Sequence, residues 1–120
     1  MTKKTATLIL RPRLRVLRGK EIVLGPGKAD LLARIAERGN LRQAAADLGM
    51  SYMRAWKLVQ SMNAAFLEPV VETARGGPHH GSARLTKGGA TALAAYREME
   101  RRSFAASGAA FRRLKRLLAG

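Results

Sequence analysis

Residues 40–63, NLRQAAADLGMSYMRAWKLVQSMN, decide how this chain is read. Asn40 with Gln43 three positions later has the form of a capping box, opening a short Ala-rich helix over Leu41–Leu48. Gly49 breaks that helix and supplies the turn conformation, and Ser51 stands where it can cap a further helix running to about Ala65. Ala45 lies four residues before Gly49, where two helices must approach closely and only a small side chain fits. Helix, four-residue turn, helix is the helix-turn-helix pattern, whose second helix enters the major groove of DNA while the first braces against the backbone. On spacing alone, the same string fits two helices of any small bundle.

At 100° per residue, Leu48, Ala55, Val59 and Met62 align on one side of the second helix, the expected core face. Met53, Arg54, Lys57, Gln60 and Ser61 align opposite. Arg54, Lys57, Gln60 and Ser61 are therefore the candidate recognition face. Arg reads guanine bidentately, Gln reads adenine, and Lys serves guanine or phosphate. Ser51 and Tyr52 stand at the helix start as candidate phosphate contacts, with Arg42 and Gln43 on the preceding helix as further candidates. The plainer reading of such a stripe is a solvated face. Trp56 flanks it and is expected to pack against the wing or the first helix.

Downstream, Pro69–Thr73 reads as a strand and Ala83-Arg84-Leu85 as another. Between them, Ala74–Ser82 holds three glycines, one proline and two histidines, a loop. Strand, Gly-rich loop and strand after a helix-turn-helix make a wing over 69–86, with Arg75, His79, His80 and Arg84 as candidate DNA contacts. Upstream, alternation from Ala6 to Leu24 predicts a hairpin over 7–24, with Leu8, Leu10, Leu14 and Val16 facing one way and Arg11, Arg13 and Arg15 the other. Pro12 points to an edge or irregular position. Pro26 opens a helix striped by Leu31, Leu32, Ile35 and Ala36, and Gly39 closes it. Thr86 is placed to cap a last helix over 87–118. Leu93, Tyr96, Phe104, Phe111, Leu114 and Leu118 form its candidate dimerisation stripe, with seven-residue spacing from Phe104 to Phe111 to Leu118 and a potential interruption at Ser107-Gly108. The expected fold class is α+β, mainly α: one winged helix-turn-helix domain spanning 1–120, with three helices over 26–65.

The chain has 120 residues, 23 Lys or Arg against 8 Asp or Glu, a formal net charge of +15 and no cysteine. This length suits one domain with its own core. Lack of cysteine removes disulfides, thiolate zinc sites and cysteine nucleophiles, and suits a reducing cytoplasm. No run approaches the ~20 apolar residues of a membrane span. Residues 1–28 carry +7, 29–73 are neutral, 74–100 carry +2 and 101–120 carry +6. The excess thus flanks a balanced centre, an arrangement suited to a polyanion, with double-stranded DNA first and an anionic membrane second.

Other chemistry finds no support in the sequence. A P-loop ending in Gly27-Lys28 needs Gly at 22 and Ser or Thr at 29, and those positions hold Ile22 and Ala29. His79-His80 lacks the spacing of metal ligands. No catalytic constellation, cofactor site or metal site is expected.

Residues 41–63 closely resemble the DNA-binding domain of the molybdate-responsive transcriptional regulators, the ModE family, above all in Gly-Met-Ser-Tyr…Ala-Trp…Met-Asn. Glu68-Pro-Val-Val-Glu-Thr and Ala83-Arg-Leu-Thr-Lys-Gly-Gly follow the same pattern, and the resemblance spans roughly residues 7–100. More distantly the chain is similar to LysR-type regulators. The resemblance implies a dimer joined through its long helix, binding palindromic operators. Family members continue into molybdate-binding repeats with no counterpart in these 120 residues, so the expectation is either control from a separate effector-sensing protein or constitutive DNA binding. Two other readings remain. One is a nucleoid-type protein coating DNA without sequence preference. The other is a membrane-surface adaptor using the basic amphipathic segment 104–118.

Overall fold

Helix ends, set by a few capping residues, divide this chain. A computed structural model describes residues 6–74 and 81–119. Pro26 occupies the first turn of α1 (Pro26–Arg38), and Gly39, at φ 66°, stops that helix in the left-handed region that glycine enters at least cost. The Asn40 side chain accepts from the Gln43 amide to start α2 (Leu41–Asp47). Ser51 accepts from the Arg54 amide to start α3 (Tyr52–Ala65). Thr86 accepts from the Gly89 amide to start α4 (Lys87–Ala106). All three side-chain caps fall at the positions the sequence marks.

Two antiparallel hairpins flank the helices. The first pairs β1 (Val16–Arg18) with β2 (Glu21–Leu24), with a register shift between Val16 and Leu17. The alternating segment before Val16 joins no ladder, so the regular hairpin is shorter than the expected 7–24, and Val16 and Leu17 are exposed. The wing pairs β3 (Val71–Thr73) with β4 (Ala83–Leu85), with Glu72 opposite Arg84. Its return strand is stitched to the α1–α2 junction, because the Ala83 amide donates to the Gly39 carbonyl (3.1 Å) and the Leu41 amide to the Gly81 carbonyl (3.1 Å).

Leu31, Leu32 and Ile35 of α1, Leu41, Ala44 and Ala45 of α2, Ala55, Val59 and Met62 of α3, Val70, Val71 and Ala83 of the wing, and Tyr96 of α4 form one buried cluster. The first turn of α4 presses on the wing at Gly89, where an added Cβ would stand 2.0 Å from the Val70 carbonyl oxygen. This architecture is a winged helix-turn-helix, α+β and mainly α.

Three readings of the last helix are corrected. Tyr96 is fully buried within its own chain, so it has no surface to offer a second copy. Leu93 is half-buried and packs on the same cluster. The helix is also not continuous. Ser107 ends α4, α5 (Gly108–Lys115) follows, and Leu118 lies beyond it, so the seven-residue spacing crosses a break. α5 buries no residue, and Phe104, Leu114 and Leu118 are exposed.

Candidate nucleic-acid interface

The turn between α2 and α3 sets the pose of α3. Gly49 takes φ 67°, and Ala45 accepts from the amides of Leu48 and Met50, each at 3.0 Å. Ala45 itself is buried where the helices meet. On the far side, the Arg42 guanidinium stacks 4.6 Å from the centre of the Tyr52 ring, a cation–π contact holding α2 to α3.

Ala55, Val59 and Met62 point inward, which leaves Ser51, Met53, Arg54, Lys57 and Gln60 on the open face. Ser51 spends its side-chain oxygen on the Arg54 amide (3.1 Å) and still stands exposed at the helix start. Gln43 is likewise exposed on α2. Ser61 is less open than the rest of the stripe: it is half-buried, and its hydroxyl accepts from the Lys28 ammonium of α1 at 3.2 Å. Trp56 is half-buried against the core cluster, as expected of a packing residue.

On the wing, Arg84 is exposed but pairs with Glu72 at 2.9 Å. Arg75, His79 and His80 lie outside the described residues.

Asn63 is the residue that sequence reasoning missed. Its side-chain oxygen accepts from the amides of Val70 (2.8 Å) and Val71 (3.1 Å), and its amide group donates to the Val71 carbonyl (3.0 Å). Three bonds from one side chain thus lock the end of α3 to the start of the wing. Asn63 closes the Met-Asn pair that carries the family resemblance, but nothing in its spacing announces a backbone clamp.

Charge is unevenly placed. Six carboxylates, Asp30, Glu37, Asp47, Glu72, Glu98 and Glu100, are paired with Arg97, Arg34, Arg38, Arg84, Arg102 and again Arg97. Among the described residues no ion pair engages Arg13, Arg15, Lys28, Arg54 or Lys57. Arg97 bridges α1 and α4 through Asp30 and Glu100, and those bonds hold it protonated against the opposing effect of burial.

Over 77 residues the chain is 42% identical to the molybdenum-pterin-binding protein MopB of Rhodobacter capsulatus, covering 64% of this chain and 28% of that protein. It is 35% identical over 77 residues to the DNA-binding transcriptional dual regulator ModE of Escherichia coli K12, covering 64% and 29%. Its backbone superposes on the protein of a CbnR_DBD–DNA complex with a TM-score of 0.52, 23% identity and coverage of 76% of this chain and 94% of that one. Over these 77 residues the chain is similar to the MopB and ModE proteins. The CbnR likeness is one of fold. The matched segment spans under a third of the length of these curated relatives. No family profile matches it. No described helix is long and apolar enough to cross a membrane.

Proposed function

We propose that this protein is a DNA-binding transcriptional regulator that reads an operator with α3 and the wing. The observation that carries the reading is the face of α3 opposite its buried Ala55, Val59 and Met62, where Arg54, Lys57 and Gln60 stand exposed on the second helix of a helix-turn-helix. Arg54 and Lys57 have no carboxylate partner among the described residues, so contact with a base or phosphate costs no existing ion pair. The names of the ModE and CbnR relatives agree with a DNA partner.

Phe104, Leu114 and Leu118, exposed on and after the last helices, together with half-buried Phe111, are the surface on which two copies associate. A two-fold dimer would present two α3 helices to a palindrome.

Selection of duplexes from a random pool by the full chain tests this reading. An enriched palindrome, bound roughly tenfold or more weakly by Arg54→Ala and by Lys57→Ala, is the expected result. Equal recovery of all sequences would instead favour the nucleoid-type reading, which the net charge of +15 also accommodates.

A further inference from the structure

A group of cations without ion-pair partners lies beside α3, where the N-terminal segment, the start of α1 and α3 itself meet in one cleft. Arg13, Arg15, Lys28 and Arg54 line it together with Gly25 and Gly27, and no carboxylate contributes. Arg54 also lines the adjoining concavity on α3 with Ser51 and Lys57, so the recognition face and this cleft form one continuous basic surface.

The cleft is held in shape. The Tyr96 hydroxyl bonds the Leu14 carbonyl, between the two arginines in sequence, and alternation along an extended chain puts Arg13 and Arg15 on the same side. The Lys28 ammonium is fixed by two neutral acceptors, the Ile22 carbonyl and the Ser61 hydroxyl. α1 begins here with no side-chain cap and no acid in its first turn, so its positive end adds to the same field. Six of the eight acids of the chain are engaged in ion pairs with other arginines, and none of those pairs reaches these cations. Four cations gathered without a counter-charge repel one another, and a strand of phosphodiesters would relieve that repulsion.

We infer that Arg13, Arg15 and Lys28, with the start of α1, form a phosphate-binding cleft for the DNA backbone bordering the groove that α3 enters. The inference rests on the reading of α3 as the DNA-facing helix. It adds a sequence-independent contact made by the N-terminal segment to those of α3 and the wing.

The test uses the full chain and the duplex it enriches from a random pool. Arg13→Ala combined with Arg15→Ala should weaken binding of that duplex roughly tenfold near 0.1 M salt and lower the salt slope by about two, at about 0.9 per phosphate lost. The ratio of affinities for the enriched and a scrambled duplex should stay within about twofold, since phosphates carry no sequence information. Arg13→Lys with Arg15→Lys should keep the slope. The chain has no cysteine, and a Cβ at Gly27 meets nothing within 4 Å, so Gly27→Cys gives a single attachment point for an iron chelate. Strand scission should then fall on the backbone flanking the bases that α3 protects. An unchanged slope, or scission elsewhere on a duplex that is still bound, overturns the cleft while leaving α3 as reader. Failure to bind any duplex overturns both.

Discussion

The Tyr96 hydroxyl donates a 2.7 Å hydrogen bond to the carbonyl of Leu14, joining residues 82 positions apart. It fastens the N-terminal segment, which has no ladder partner before Val16, to the one large aromatic residue fully buried in α4. Tyr96→Phe keeps the ring in place and removes only the donor. The half-buried Leu14 carbonyl then loses its partner, so a stability loss of about 1–2 kcal/mol is expected, read as a lower urea midpoint.

The same bond predicts a pH dependence. Burial first, and the nearby Glu100 carboxylate next, raise Tyr96 above its usual 10.0. The folded state therefore keeps the phenolic proton where the unfolded chain would release it. The stability this supplies is complete below about pH 10 and falls as pH rises toward and through the folded value. The stability difference between wild type and Tyr96→Phe should stay flat from about pH 6 to about pH 9 and shrink above pH 10. A difference that grew in alkali would show that the hydroxyl is not the donor.

Two adjacent glycines should respond in opposite directions. Gly89→Ala forces a Cβ against the Val70 backbone, 2.0 Å from its oxygen and 2.9 Å from its carbonyl carbon, which neither side can yield cheaply. A loss of about 3 kcal/mol is expected in thermal or urea unfolding. At Gly88 the nearest atom to an added Cβ is the Thr86 hydroxyl oxygen, 3.7 Å away, so Gly88→Ala should be neutral or stabilise α4 by about 0.5–1 kcal/mol.

Asn63→Ala leaves the amides of Val70 and Val71 without their acceptor and the Val71 carbonyl without its donor. About 2–3 kcal/mol should be lost. Because the wing strand is what comes loose, amide exchange should quicken at Val70 and Val71 more than at Val59. Uniform quickening across the domain would mean that the clamp is not local.

Glutamates at both Phe104 and Phe111 should dissociate the proposed dimer without unfolding the protomer, because α5 buries no residue and Phe104 is exposed. Sedimentation equilibrium should shift from dimer to monomer mass while helical content is kept. A dimer that survives both changes would place the contact elsewhere.

Features with local causes were legible in the sequence. Asn40, Ser51 and Thr86 cap because a short polar oxygen can reach the amide three residues on, and each does so here. Gly39 and Gly49 mark turns because both take positive φ. The inner face of α3 followed from the 100° rotation per residue. Tyr96 did not, because α4 is rich in Ala, and a helix with small side chains on every side gives periodicity little to separate. Ser61 has the place on the wheel that the rotation gives it, but a long lysine from α1 reaches across to bond it. Neither that contact nor the Asn63 clamp has a local signature, since each depends on which elements the fold brings together.

Order of synthesis gives the Leu14–Tyr96 bond another meaning. The ribosome makes the N-terminal segment early, yet its anchor is not translated until residue 96 is in place. Leu8 and Ile9 of the adjoining apolar run stay exposed even in the finished fold. Arg11, Arg13 and Arg15 follow that run directly, and charges beside an apolar strand are what keep a waiting nascent chain from pairing with its neighbours.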